Sequence, residues 1–387
     1  MSMHHLPFDA PLASYQAQAE TLLAAHAAGD EAALRIIHHC HPRFLDAKVP
    51  WMPLHLTAED IRRAPFDSDD ARLTVARGYN FLDWPALAAY AAAVADRATA
   101  VYRFEAAVEA VISGNEAALR QAIAEDPAIV HARSTRVTHF DPAVHRSTLL
   151  HYVAANGVEN HRQRTPANAG TILRILLEAG ADPNSLAGLY GGKCTTLSLL
   201  VSSGHPAEAG LQEQLTELLI DAGASVEPLG SGRWTSPVLT ALLFGYAKTA
   251  ALLVRRGATV DSLPAAAGLG LVEEVDARLP AASEGDRHRA LALAAQLGHA
   301  SIVARLLEAG VDPDRFNPDG FHHHATPLHH AALYGHEAAV KAMVERGARV
   351  DIADRVHRST PAGWAEYGGY PEIAAFLRAH ERAPGAL

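Results

Sequence analysis

The chain has 387 residues, more than one hydrophobic core usually supports, so two or more units or an open-ended array are expected. Apolar residues make up 49% and charged residues 20%, a balance that argues against disorder, and the formal charge of -10 speaks against a nucleic-acid partner. No apolar stretch approaches the roughly 20 residues of a membrane span, and the N-terminal MSMHHLPFDAPLA lacks the basic-then-apolar pattern of a signal peptide. Two cysteines, Cys40 and Cys194, exclude a disulfide framework and make a reduced, cytoplasmic setting the expectation. The apolar fraction is dominated by Ala and Leu, with 6% aromatic, which predicts short, closely packed helices.

In chain order, LLAAHAAGDEAALRIIHHCHPRF from Leu22 has the cadence of a helix pair. The Pro-punctuated KVPWMPLHLTAEDIRRAPF reads as a loop. The stretch from Asp70 reads as two helices, with Asp83 capping the second and Trp84 and Pro85 in its first turn. FEAAVEAVISGNEAALRQAIAEDPAIVHARS from Phe104 is a further helix pair. Residues 1–103 are therefore expected to form a helical N-terminal cap on the rest of the chain.

Beyond residue 103 the sequence repeats. LLEAGADPN from Leu176 returns as LLIDAGASVE from Leu218, LLVRRGATVD from Leu252, LLEAGVDPD from Leu306 and MVERGARVD from Met343. The glycine in each suits a helix end, and a second glycine precedes each phrase at Gly157, Gly204, Gly245, Gly298 and Gly335. From Gly245 to Gly257, Gly298 to Gly310 and Gly335 to Gly347 is 12 residues each, and from Gly347 to Gly368 is 21. The sum is a period of 33. Two intervals are longer, Gly157 to Gly180 by 11 and Gly204 to Gly223 by 7, while Gly257 to Gly270 is only 13 and leaves almost no connecting finger.

TPLHHAALYGH from Thr326, with looser versions at TLLHYVAANG from Thr148 and STPAGWAEYGG from Ser359, resembles the helix-opening motif of the ankyrin-repeat family. The resemblance covers roughly residues 104–382. It implies an all-α ankyrin-repeat solenoid of about seven repeats with short β-turn fingers, in a block 104–261 with enlarged inter-helix turns and a second block 262–387. The N-terminal part is similar to extensions of some bacterial ankyrin proteins.

The resemblance also implies a concave groove that binds a protein, a peptide or a small ligand. The family's contact positions fall here on His145, Asn156, Tyr190, Lys193, Ser202, Arg233, Trp234, Asn317, His322, His324, Tyr334 and Tyr367, with His205 beside them. Gly188, Gly191, Gly192 and Lys193, with nearby hydroxyls, read either as a small-anion site or as a tight finger turn. His322, His323, His324, His329, His330 and His336 fall within fifteen residues. Two of them on alternating finger positions invite a metal reading, but no carboxylate stands in register, His329 is the motif's structural histidine, and His336 follows the motif glycine. No metal and no cofactor are expected. The second reading of function is a hydrolase, lyase or isomerase with a His-rich acid/base site on the concave face, although no nucleophile motif or paired-carboxylate pattern is present. Trp51, Trp84 and Trp364 are expected in the core.

Overall fold

The structure, a computed structural model, describes residues 5–47, 52–156, 159–232 and 236–381. Contacts divide the chain into two compact units, one of residues 1–225 with 229–235 and the other of 226–228 with 236–387. The division falls ahead of the block boundary expected after residue 261.

In the N-terminal unit the extension builds its own core. Helices Leu12–Ala27, Glu31–Cys40, Ser68–Gly78 and Trp84–Val94 bury Tyr15, Leu34, Ile37, Val75, Phe81 and Leu87. Asp83 caps its helix as expected by accepting the Ala86 N–H at 2.8 Å. The stretch read as a loop holds a short helix, Ala58–Arg63, opened by a reciprocal cap between Thr57 and Asp60. Lys48 to Trp51 lie outside the described residues. The extension joins the rest of the unit through the Leu82 N–H, which donates to the Val137 carbonyl at 3.0 Å.

The repeat arithmetic reads out as seven helix pairs among the described residues. Their first helices run from Leu149–Val153 to Pro361–Tyr367 and their second helices from Ala169–Glu178 to Pro371–Ala379. An eighth pair, Ala100–Ser113 and Glu116–Glu125, precedes them. Gly245, Gly298 and Gly335 end their helices in left-handed backbone, as expected. Two glycines differ. Gly204 opens the extra helix Gly204–Glu208, and Gly368 keeps a right-handed φ of -71 because the left-handed position has moved to Gly369. Gly368 is needed for another reason: a Cβ there would run into the Leu333 carbonyl.

The motif histidines tie neighbouring repeats together. His329 Nδ1 accepts the Thr326 backbone N–H at 3.2 Å while Nε2 donates to the Ser359 carbonyl at 3.2 Å. His151 repeats this with Thr148 and the Cys194 carbonyl. His336 and His299 donate to the carbonyls of Gln296 and Gly268 at 2.8 and 3.0 Å. Trp364 is buried as expected and donates to Asp354 Oδ2 at 3.0 Å, whereas Trp84 is half-buried.

The one hairpin among the described residues pairs Ala187–Leu189 with Gly192–Cys194 across the two-residue turn Tyr190-Gly191, whose φ values are 55 and 71. Lys193 and Ser231 exchange backbone hydrogen bonds at 2.9 and 3.2 Å, which brings the next finger against the hairpin. A Cβ on Gly192 would strike the Ser231 backbone oxygen. Gly192 thus permits a close approach of two backbones, while Gly191 supplies the left-handed residue of the turn. Gly192→Ala should cost about 1–3 kcal/mol, as overpacking does. Thermal denaturation checks this, and an unchanged melting temperature would show that the fingers part without cost.

Candidate functional site

In the N-terminal unit the long insertion after Gly157 turns inward. Its Glu159 and Arg162 meet Arg136 and Glu105 in a buried cluster of two guanidinium groups and two carboxylates. Arg162 Nη2 lies 2.8 Å from Glu105 Oε2 and also pairs with Glu159, while Arg136 Nη1 lies 3.4 and 3.8 Å from Glu159 and Glu105. The Tyr152 hydroxyl donates to Glu159 at 2.8 Å and the Tyr90 hydroxyl to Glu105 at 3.3 Å. Burial alone would raise the Glu159 pKa, yet Arg136, Arg162 and the His145 hydrogen bond hold it well below the usual carboxylate range. Burial pushes the Tyr152 and Tyr90 hydroxyls well up. The same insertion staples the extension, with His161 Nδ1 2.8 Å from Asn80 Oδ1, and holds the helix Ala100–Ser113 through Arg164 Nε, which donates to the Ile112 carbonyl at 3.0 Å.

His145, expected on the groove, belongs to this cluster. It is buried, its Nδ1 accepts the Ser147 N–H at 3.2 Å, and its Nε2 lies 2.9 Å from Glu159 Oε1. Three other residues of the same expectation do come together. The Tyr190 hydroxyl donates to Asn156 Oδ1 at 2.6 Å, and the Asn156 amide donates to Ser202 Oγ and to the Leu199 carbonyl. Tyr190 is 42% exposed in a left-handed conformation that a non-glycine residue seldom takes. Lys193 and His205 are exposed. Arg233 and Trp234 lie outside the described residues.

In the C-terminal unit the residue just before the left-handed glycine is large and apolar in four successive repeats, Phe244, Leu269, Leu297 and Tyr334, and in the last repeat Gly368 takes that place with Tyr367 one position earlier, at the end of its helix. None is buried. Phe244, Tyr334 and Tyr367 are 41%, 46% and 90% exposed, and the two leucines are half-buried. In the N-terminal unit, Asn156 and Ser203 occupy the corresponding place and are polar.

Beside Tyr334 lies the histidine group. His322, in left-handed backbone, donates from Nε2 to the Leu243 carbonyl at 3.1 Å. The His330 ring sits 4.9 Å from that of His322, 6.4 Å from His324, 5.3 Å from Trp364 and 6.3 Å from Tyr334. His324 is half-buried. Asn317 is buried, its backbone closing the finger onto the Ala325 carbonyl at 2.8 Å, and its Oδ1 has no partner among the described residues. Among the described residues no group of three or more His, Cys, Asp or Glu is arranged to hold a metal ion. Of the histidines that an acid/base site would draw on in the N-terminal unit, His145 is sealed against Glu159 and His205 stands exposed.

Sequence reasoning passed over the Glu105–Arg136–Glu159–Arg162 cluster and did not single out His330 from the histidines around it. A signal for the first lay in the insertion, where Glu159, Arg162 and Arg164 crowd a segment far longer than a turn requires. For the second it was a histidine among the apolar residues of a packed motif helix.

A family model described as ankyrin repeats in three copies matches residues 265–354 and, overlapping them, 291–384. An Arabidopsis thaliana protein named "Putative E3 ubiquitin-protein ligase XBAT31" is 38% identical over 103 residues, 26% of this chain and 22% of that protein. An ankyrin repeat-containing protein of the fission yeast Schizosaccharomyces pombe is 35% identical over 63 residues, 16% of this chain and 28% of its own. The chain spans about a quarter of the length of these relatives. Repeat period, motif wording, helix pairs and family match agree: the chain carries ankyrin repeats, and its fold class is the all-α ankyrin-repeat solenoid.

Proposed function

We propose that this chain is a protein-binding module whose partner lies along the row Phe244, Leu269, Leu297, Tyr334 and Tyr367. The observation that carries the reading is that row. A repeat array ordinarily buries its repeated apolar positions between helices, yet here the position before the left-handed glycine stays large, apolar and accessible in four repeats of the C-terminal unit, and Tyr367 continues the row from the end of the last first helix. Aromatic residues presented on a rigid scaffold anchor contacts at low entropic cost. The Asn156–Tyr190–Ser202 group of the N-terminal unit is a polar counterpart. The setting we propose is cytoplasmic, in keeping with cysteines that are both free.

The test is selection of a displayed peptide library on the purified protein. Bound sequences should lose at least about tenfold in affinity when Tyr334 and Tyr367 are changed together to Ser. The melting temperature should hold, because exposed substitutions change stability by less than about 0.5 kcal/mol. Peptides that bind the double variant as tightly as the parent would remove the row from the site.

A further inference from the structure

His330 lies in the helix Pro327–Leu333, is 4% exposed, and has no hydrogen-bond partner at either ring nitrogen among the described residues. A neutral imidazole has one donor and one acceptor to satisfy, and leaving both unmet in a packed interior is costly. Neighbouring histidines do not share this fault. His329, one residue away, is bonded at both nitrogens, and His322 has the Leu243 carbonyl. Fold stability therefore does not account for His330, whose place in a motif helix suits an aliphatic side chain better.

The surroundings say what would satisfy it. Around the His330 ring stand His322 and His324 from the preceding finger, His329 from its own helix, and Trp364 from the next repeat. His323 and His357 adjoin His324. Arg355 bonds through its backbone N–H to the His324 carbonyl at 2.8 Å and lays its guanidinium over Phe316 at 4.0 Å, and Arg358, next to His357 in the chain, is exposed. The buried carboxylate in this ring of groups, Asp354, is spent inside the fold. It accepts from the backbone of Val356, His357 and Ser359 and from Trp364 Nε1. Asp319 is exposed in the turn Pro318–Phe321 of the same finger, and Glu366 is paired with Arg378. Imidazoles and arginines thus outnumber available carboxylates around a polar side chain that lacks a partner.

We propose that this histidine basin receives a carboxylate side chain from an acidic segment of the bound protein. The segment lies against Tyr334 and Tyr367, so the inference rests on the protein-binding reading and deepens it. A carboxylate entering between His322, His324 and His330 accepts hydrogen bonds from their ring N–H groups and favours their protonated forms. Binding then takes up protons, so affinity rises as pH falls.

The experiment is a fluorescence anisotropy titration with a labelled peptide alternating Glu and Leu, and with the same peptide carrying Gln for Glu, each at pH 6 and pH 7.5. The Glu peptide should bind more tightly at pH 6, by up to about tenfold per pH unit for each proton taken up. The Gln peptide should bind more weakly and show no pH dependence. His330→Leu should melt at the same or a higher temperature and lose the pH-dependent part of binding, a combination that a merely structural histidine does not give. Equal binding of the two peptides, or pH dependence that survives His330→Leu, overturns the proposal. So does absence of binding by both peptides, which leaves the module itself to be judged by the selected peptides. A rise in melting temperature with zinc alone, abolished by His330→Leu, would make the basin a metal site and overturn it as well.

Discussion

Arg162→Met should lower the stability of the N-terminal unit by about 3–5 kcal/mol, the usual cost of stranding one partner of a buried ion pair. Arg162 faces both Glu105 and Glu159, whose side chains are essentially inaccessible, so its removal leaves two carboxylates against one guanidinium. Arg136 cannot cover both, because it already spans them at 3.4 and 3.8 Å and donates to the Tyr79 carbonyl at 3.2 Å. Tyr90 and Tyr152 donate to the same carboxylates and stay protonated, so they soften the charge without cancelling it. Glu159→Gln should cost a similar amount, and the two changes together less than their sum, since they share one network. Urea denaturation followed by circular dichroism measures all three. A loss under about 1 kcal/mol for Arg162→Met would show that the cluster behaves as a solvated surface pair.

Acid should weaken the fold well before carboxylates titrate. Burial drives His151 and His329 down to about 4 from the usual 6.5, and the hydrogen bond that each ring makes to a carbonyl opposes this only in part. The folded pKa lies below the unfolded one, so the unfolded chain binds the protons first. The stability each histidine contributes is complete above about pH 6.5 and is lost as pH falls from there towards 4. At pH 5 the loss is on the order of 2 kcal/mol per histidine, hence about 4 kcal/mol for the two. Denaturant midpoints measured from pH 7.5 to pH 5 should fall steadily, and His151→Gln with His329→Gln should flatten the profile. A parent protein equally stable at pH 7 and pH 5 would show that water reaches these rings.

The repeating part of the fold was legible because its signals are local. Paired glycines at intervals of 12, the Thr-Pro helix openings and the motif histidines each specify a helix end, and those ends define the helices between them. The helix Ala58–Arg63 was missed although Thr57 and Asp60 carry its cap, because the prolines around it read as loop. The inward turn of the insertion left a trace only in the segment's length and its crowd of charges. Charged residues are normally exposed, and nothing local in Glu159 or Arg162 announces partners at residues 105 and 136. The site was legible in part. The motif register led to Asn156, Tyr190, Ser202, Tyr334 and Tyr367, yet it placed His145 on a groove when a glutamate 14 residues onward draws it inside. It also left His330 within a crowd of histidines, since only packing shows which imidazole has no partner.

The most direct test of the protein-binding account is hydrogen–deuterium exchange on the full chain with and without a library-selected peptide. The account predicts slowed exchange at the ends of the first helices and in the fingers of the C-terminal unit, around Phe244, Leu297, Tyr334 and Tyr367. Protection confined to the second helices of the repeats, or to the N-terminal extension, would contradict it.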